Sequence, residues 1–181
     1  FRSGRERSAR IRAFIDYFPI RPPREEPGRL YRRFRWGALL EVFILDTRQY
    51  RSPNTALDGP GKTMLGPTQR RWLLDAVAGS TAVWKVVVSS VPLSVPTGGR
   101  AHDSWSNGNA RGGPEEHGTG FAVERDAILR ALRQRGVKNL VVLAADVHHA
   151  EGLELVERRL RFDLQQDADF LVRVPGVVLD A

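Results

Sequence analysis

The sequence predicts an α/β fold built around a parallel sheet. Three apolar runs have the length and composition of buried strands, and the segments between them carry apolar residues at helical spacing. Each run leads directly into polar residues. Because open α/β sheets bind ligands beyond the carboxyl ends of their strands, we expect the functional groups of this protein at that edge.

The three predicted strands are residues 38–45, 84–88 and 139–145. The third contains so few polar groups that we expect a central strand covered on both faces. Polar segments follow all three strands, and they begin with Asp46, Ser89 and Asp146. The tips of the three strands should therefore present polar side chains at a shared edge.

A first helix is predicted for residues 66–79. Pro67 stands at the favoured first helical position, and Gly79 stands where a C-terminal cap belongs. The apolar stripe of this helix consists of Trp72, Leu73, Ala76 and Val77. A stripe of this kind faces the core of a globular domain.

A second helix is predicted for residues 123–135, and Gly136 ends it. The apolar residues at helical spacing are Val123, Ala127, Ile128, Ala131 and Leu132. We expect the arginines Arg125, Arg130 and Arg133 to face away from that stripe.

Length and composition limit the class of protein. A chain of 181 residues with 41% apolar residues can form one domain with a substantial core. It has no cysteine, which excludes a disulfide framework and a thiolate metal site. No apolar run approaches the roughly 20 residues of a membrane helix, and the first residues lack the apolar segment of a signal peptide. Because the chain begins at Phe1 rather than Met, we expect an upstream piece that was removed or never included.

The excess positive charge is confined to the N-terminal part of the chain. Residues 1–35 contain 11 arginines and 4 acidic residues, which accounts for the whole net charge of +7. This segment, predicted as a basic helix with a Pro-rich connector, is either a solvated helix or an arm for nucleic acid or an anionic surface. Apolar residues between the arginines suggest packing onto a body, and no nucleic-acid motif accompanies the charge. We therefore expect no nucleic-acid partner.

Residues 96–120 form a predicted loop rich in Gly, Ser, Asn and His. Loops of this length without secondary structure are uncommon unless they are functional or disordered. The ligand-capable and aromatic groups of this loop are His102, Asp103, Trp105 and His117. The loop either supplies a ligand or closes over substrate, or it is a solvated insertion, which we favour for His117.

Asp146 and His148 are the strongest candidates for metal ligands. They lie two residues apart after an apolar strand, so on an extended chain both side chains point to one face, about 6.5 Å apart. His149 points to the opposite face and is not expected to bind metal. The structural alternatives are a helix-capping aspartate and a histidine satisfied within the core.

Asp46, Arg48 and Ser90 are further candidates at the same edge. The planar guanidinium of Arg48 suits phosphate oxygens, which it can bind through two parallel hydrogen bonds. Asp46 and Arg48 either contact phosphate or metal directly, or form an ion pair that orders the following turn. Ser90 ends its strand, and we expect its hydroxyl to bind substrate or a ligand. A serine hydrolase that uses Ser90, His148 and Asp46 is disfavoured, because the sequence has no Gly-x-Ser-x-Gly elbow.

An ordered set of motifs resembles the catalytic domain of PhoD-type alkaline phosphatases. The matching segments before the loop are residues 30–37, 45–51, 63–66 with Gln69 and 72–73, and 84–92. They are followed by an Asp-x-Trp element at 103–105, a Glu-Arg pair at 124–125 and an Ala-Asp-Val-His strand end at 145–148. The matches extend from about residue 31 to 150. Each motif alone is weak, but their order is specific.

The resemblance implies a metal-dependent phosphoric ester hydrolase that forms part of a metallophosphoesterase-like four-layer α-β-β-α sandwich. It implies calcium and iron, with Asp103, Asp146 and His148 as ligands. A metal ion lowers the pKa of bound water and stabilises charge on the phosphoryl and leaving oxygens. Carboxylates suit calcium, and carboxylate with imidazole suits iron. The family also suggests a secreted or periplasmic location.

With a phosphate ester as substrate, the predicted site has two further groups of residues. We predict catalytic roles for Asp46 and Arg48. We predict substrate contacts for Arg48, Ser90 and Trp105.

The chain also departs from the family pattern. An upstream Gly-Asp strand end and an Asp-Asp-His-Glu segment, which supply further metal ligands in family members, do not occur, and Ala145 replaces a glycine. Residues 106–120 separate the Asp-x-Trp element from the next helix. We therefore expect a basic segment at 1–35, the C-terminal half of the catalytic domain at 36–150 and a strand-forming tail at 151–181. Such a piece is inactive without its N-terminal half; the alternative is a noncatalytic fragment that binds anionic polymers through its Arg-rich third.

Overall fold

The computed structural model describes residues 4–94, 103–107, 118–144 and 151–154. Within these ranges the helices and strands are, in chain order, α1 (Gly4–Tyr17), β1 (Arg32–Trp36), β2 (Leu40–Ile44), α2 (Gly66–Ala78), β3 (Trp84–Ser89), α3 (Ala122–Gln134), β4 (Leu140–Ala144) and β5 (Glu151–Glu154). The predicted α/β class is confirmed.

The described strands form one five-stranded sheet in the order β1-β2-β3-β4-β5. The three inner strands are parallel, and β1 and β5 pair antiparallel with their neighbours. The inner strands are the three that the apolar runs predict, so their carboxyl ends meet at one edge. The sequence did not reveal β1, because this edge strand has Arg33 and Arg35 on one side and a third arginine, Arg32, beside Phe34 and Trp36 on the other. It reaches β2 through a tight turn in which Gly37 adopts the left-handed conformation (φ +58°).

Helix α2 begins and ends where the sequence predicts. Pro67 lies in its first turn, and Leu73 and Val77 are buried against the sheet. Gly79 closes the helix with a hydrogen bond from its N–H to the carbonyl of Asp75, 2.9 Å. Its φ of −81° is accessible to any residue, so left-handed freedom is not what this glycine supplies. A Cβ at Gly79 would lie only 3.0 Å from the same carbonyl oxygen.

Helix α3 is rotated relative to the predicted stripe. Ile128 and Leu132 are buried as expected, but Val123 is exposed, and the charged residues Glu124 and Arg125 are buried. The prediction that Arg125 faces away from the core was therefore wrong. Both charged groups are satisfied by hydrogen bonds that the helical pattern cannot reveal: Glu124 accepts three at the start of α2, and Arg125 donates to the carbonyl of Leu93, 2.9 Å.

The C-terminus of α3 is a Schellman motif. Gly136, with φ +71°, donates its N–H to the carbonyl of Arg133 at 2.9 Å, and Val137 donates to the carbonyl of Leu132 at 3.1 Å. Val137 then packs on the core. The predicted stop at Gly136 is confirmed together with its physical reason, because the left-handed conformation there is disfavoured for other residues.

The core lies between α2, α3 and the helix-facing side of the sheet. The register aligns Phe43, Val87 and Val142 in a row across β2, β3 and β4, and all three are buried. The apolar residues of α1 are less covered, since Tyr17 is 87% exposed. No helix in the described parts of the chain is long and apolar enough to cross a bilayer.

Candidate functional site

The carboxyl ends of the parallel strands form the edge at which the sequence places its functional groups. The segment after β2 lies directly beside the end of β3: the N–H of Leu45 donates to the carbonyl of Val88 at 2.9 Å. Two residues further along each segment, the hydroxyl oxygens of Thr47 and Ser90 lie 2.5 Å apart in a hydrogen bond. Thr47 is buried and Ser90 is exposed. The predicted candidate Ser90 therefore lies at the surface of this edge.

Asp46 organises the loop that follows β2. One carboxylate oxygen accepts the backbone N–H groups of Arg48 and Gln49, both at 3.0 Å, and the other accepts the side-chain amide of Gln49. The backbone of Asp46 is held in turn by the amide of Gln69 on α2, through two hydrogen bonds of 2.8 Å. This arrangement shapes the loop as an Asx turn does. The catalytic role of Asp46 stays a prediction.

Arg48 and Arg51, which we call the arginine pair, both contact Asp103. Nη1 of Arg48 donates to Oδ2 of Asp103 at 2.6 Å, and Nη1 of Arg51 donates to Oδ1 at 2.5 Å. The side chains of Arg48, Arg51 and Asp103 are 48%, 20% and 34% exposed. Two guanidinium groups therefore surround one carboxylate at the edge of the sheet.

The cluster keeps Asp103 ionised. Partial burial acts to raise the pKa of the Asp103 carboxyl, but the hydrogen bonds and charges of Arg48 and Arg51 outweigh it. The result is a pKa below the ordinary value of 3.8. Asp103 is thus a carboxylate at neutral pH, and both of its oxygens accept guanidinium hydrogen bonds.

The described part of the long loop belongs to the core rather than to a solvated insertion. Trp105 is 2% exposed; its indole N–H donates to the Ser89 hydroxyl at 3.2 Å, and its backbone N–H donates to the carbonyl of Pro92 at 2.9 Å. The N–H of Phe121 donates to the carbonyl of Trp105 at 3.2 Å. These contacts fix the position of Asp103. The substrate contact predicted for Trp105 stays a prediction, and in this structure the ring packs inside.

Lys62 connects two loops behind the edge. Its buried ammonium donates to the carbonyls of Asn54 at 3.2 Å, Ala56 at 2.6 Å and Thr119 at 2.6 Å, and lies 4.2 Å from the centre of the Phe121 ring. Burial lowers the pKa of the Lys62 ammonium. Three carbonyls and an aromatic face are suitable surroundings for a desolvated cation, so we assign Lys62 a structural role.

Several residues that build the edge had no predicted role, namely Arg51, Gln69, Lys62 and Glu124. For Gln69 a signal was present: it lies four residues before Leu73, on the apolar face of α2, where a polar side chain needs a hydrogen-bonding partner. Arg51 was visible as the second arginine of the segment 45–51. The burial of Lys62 and Glu124 depends on distant loops and had no local signal.

The strongest metal-ligand candidates, Asp146 and His148, lie outside the described residues, as do His102 and His117. In the sequence, Asp146 and His148 fall between Ala144, the last residue of β4, and Glu151, the first residue of β5. Among the residues that the structure describes, no group of three or more His, Cys, Asp or Glu is placed to hold a metal ion. The oxygens of Asp46 and Asp103 already accept hydrogen bonds. The described residues alone do not form a metal site.

Comparison with known proteins gives consistent matches. The model of a family described as PhoD-like phosphatase matches residues 3–172. Alkaline phosphatase D of Bacillus subtilis (strain 168) is 29% identical over 161 residues, which cover 78% of this chain and 25% of that protein. The solved structure of PhoD matches with a TM-score of 0.60 and 28% identity, over 78% of this chain and 28% of the other. The chain spans about a quarter of the length of these relatives.

Proposed function

The chain belongs to the PhoD-like phosphatase family, and from this membership we propose that it is part of a metal-dependent phosphoric ester hydrolase. The resemblance that the motifs predict is confirmed, and the family match extends beyond residues 31–150 at both ends. The observation that carries the proposal is the arginine pair at the carboxyl edge of the parallel strands.

The chemistry of this edge suits a phosphate ester. Guanidinium groups bind phosphate oxygens in a planar, charge-assisted geometry. The Ser90 hydroxyl lies at the tip of the neighbouring strand and shares a hydrogen bond with Thr47, in which either hydroxyl can donate. We assign Arg48, the more exposed of the pair, to bind the phosphate group.

For the metal ions we propose Asp146 and His148 as ligands, and calcium and iron as the metals. When bound, such ions supply an activated water and neutralise charge on phosphoryl oxygens. The remaining metal ligands would come from the part of the domain that corresponds to the rest of the relatives' length. On its own, this chain would therefore be inactive. Asp103 has two arginine partners in this structure, so its metal-ligand role stays a prediction. A secreted or periplasmic location, which the family suggests, also stays a proposal.

The outer face of the sheet supports the finer proposal of a four-layer sandwich. On the side away from the helices, the register aligns Phe34, Val42, Val86 and Val141 in one row. The row is only partly covered, and the neighbouring Trp36 is 80% exposed. An apolar sheet face of this kind packs against a second sheet in layered proteins. We propose that the N-terminal half of the same domain provides that sheet.

The proposal is tested in the complete polypeptide that carries this chain. Asp146→Ala and His148→Ala should each reduce the bound metal, measured by elemental analysis, together with the hydrolysis of an aryl phosphate monoester and diester. Asp75→Ala, on the exposed surface of α2, is the matched control and should change neither. Full metal content and full activity in both site variants would contradict the assignment.

A second candidate function is supported by α1. Arg10 and Arg12 are exposed on this helix, as expected for a noncatalytic segment that binds an anionic polymer. Binding of inorganic polyphosphate, lost at high salt and on deletion of residues 1–18, which removes α1 and leaves β1 intact, would favour this candidate. Equal binding by the shortened protein would reject it.

A further inference from the structure

We infer that Asp103 is a positioning residue: it holds Arg48 and Arg51 side by side, so that together they bind the phosphate group of the substrate. The inference rests on the proposed function, because it takes the anion to be the phosphate of an ester. It adds Arg51 to the substrate-binding residues and gives Asp103 a role different from metal ligation.

The bridging geometry supports this role. Each oxygen of Asp103 accepts a hydrogen bond from a different guanidinium, at 2.6 and 2.5 Å. Two guanidinium groups this close would otherwise repel each other, and one carboxylate between them compensates the repulsion. One carboxylate thus holds two guanidinium groups side by side. In the contacts to Asp103 each arginine uses one Nη1, and a guanidinium has several further N–H donors.

The three residues are mounted on a fixed framework. The backbone of Arg48 is held by Asp46, and the residue after Arg51, Ser52, pairs with Thr63 through hydrogen bonds of 2.7 and 3.1 Å. On the other side, buried Trp105 fixes the loop that carries Asp103. The spacing of the arginine pair is therefore set by the fold rather than by flexible side chains, and preorganised donors bind an anion at a lower entropic cost.

A surface pair elsewhere in the protein provides the contrast. Arg135 and Asp75 form an ion pair of 2.8 Å with side chains 43% and 61% exposed. An exposed one-to-one pair of this kind contributes little. Asp103 differs from Asp75 in having two arginine partners and in lying at the carboxyl edge of the sheet. Asp75→Asn is therefore the matched control for Asp103→Asn.

The arrangement also argues against a metal ion at Asp103. A cation bound to its oxygens would replace two charge-assisted hydrogen bonds and would lie close to two guanidinium groups of the same sign. Substitution of Asp103 should therefore weaken phosphate binding and leave the metal content unchanged. Substitution of a metal ligand would change both.

The test uses the complete polypeptide with its metal bound and inorganic phosphate as the probe. Phosphate affinity is measured by titration calorimetry, metal content by elemental analysis, and KM and kcat with an aryl phosphate. Asp103→Asn should weaken phosphate binding by about tenfold, the value of one hydrogen bond to a charged group, and should raise KM to match. Metal content should not change, and kcat should stay within about twofold. Arg51→Lys, which keeps the charge but loses the planar donor geometry, should act in the same direction, and Asp75→Asn should have no effect.

Two results would overturn the inference. The first is loss of metal in Asp103→Asn, which would make the residue a ligand. The second is unchanged phosphate affinity in both Asp103→Asn and Arg51→Lys. If those variants bind phosphate as the wild type does while the wild type hydrolyses esters, the positioning role fails and the proposed function stands. If phosphate binding responds as expected but no ester is hydrolysed, the arginine pair stands and the hydrolase proposal fails.

Discussion

Replacing Gly120 by Ala should strongly destabilise the protein, because two backbone segments approach each other closely at this position. A Cβ at Gly120 would lie 2.2 Å from the carbonyl oxygen of Ser106 and 2.8 Å from the amide nitrogen of Asn107. Carbon–oxygen contacts of this type are about 3.3–3.6 Å long, so the segments would have to separate by roughly 1 Å. This glycine is required for close approach, since no flexible side chain can move aside.

The loss of stability in Gly120→Ala follows from the hydrogen bonds between the two segments and from the overpacking. Separation would strain the hydrogen bond from the Gly120 N–H to Asn107 at 2.7 Å and the bond from Phe121 to Trp105 at 3.2 Å. Each contributes about 1 kcal/mol, and overpacking adds about 1–3 kcal/mol. The free energy of unfolding should fall by about 3–5 kcal/mol, which corresponds to a decrease in Tm of roughly 10 °C for a chain of this size.

Urea unfolding followed by tryptophan fluorescence, together with a thermal scan, measures the effect. Gly61→Ala is the matched control, because a Cβ at Gly61 would have no heavy atom within 4 Å. It should change stability by no more than about 0.5 kcal/mol. If Gly120→Ala unfolds at the same urea concentration as Gly61→Ala, the described packing of the loop against Trp105 is wrong.

Three further predictions concern buried or paired charges. Glu124→Gln should reduce the free energy of unfolding by about 2 kcal/mol in urea titrations, because the hydrogen bonds at the start of α2 lose their charged acceptor; stability equal to that of a Gln variant at exposed Glu25 would argue against this cap. Lys62→Met should cost about 3 kcal/mol, because three carbonyls lose their donor; a more stable Met variant would mean that burial of the ammonium outweighs its contacts. Asp103→Asn should change the pH dependence of stability. The arginines lower the pKa of Asp103 against the opposing effect of burial, so its stabilisation is present at neutral pH and is lost as the pH falls from the ordinary value of 3.8 through the folded pKa. The stability curves of wild type and Asp103→Asn should therefore differ at pH 7 and converge in acid, and a constant difference at all pH values would refute the linkage.

The inner strands and both predicted helices could be identified from the sequence because their signals are local. Buried parallel strands appear as apolar runs, and Pro67 and Gly136 mark helix ends through backbone properties of their own. The buried face of α3 could not be identified in this way. The burial of Glu124 depends on the start of α2, about 60 residues away, and tertiary contacts of this kind override helical periodicity.

The location of the candidate site could be predicted from a topological rule. The contacts between its side chains could not. Parallel strands place Asp46 and Ser90 at one edge whatever the loops do. The contacts of Asp103 depend on loops, and a carboxylate attracts metal ions and guanidinium groups alike, so the sequence alone assigns it to neither. The motif 103–105 indicated that Asp103 matters; the structure adds its two partners.

The central claim is that the edge formed by the arginine pair binds the phosphate group of the substrate. The most direct test is the inhibition constant of inorganic phosphate for aryl phosphate hydrolysis by the complete polypeptide, compared between wild type, Arg48→Ala and the surface control Arg135→Ala. The inhibition constant should be at least about tenfold higher in Arg48→Ala, because a charge-assisted contact is lost, and should not change in Arg135→Ala. Equal inhibition constants in all three proteins would contradict it.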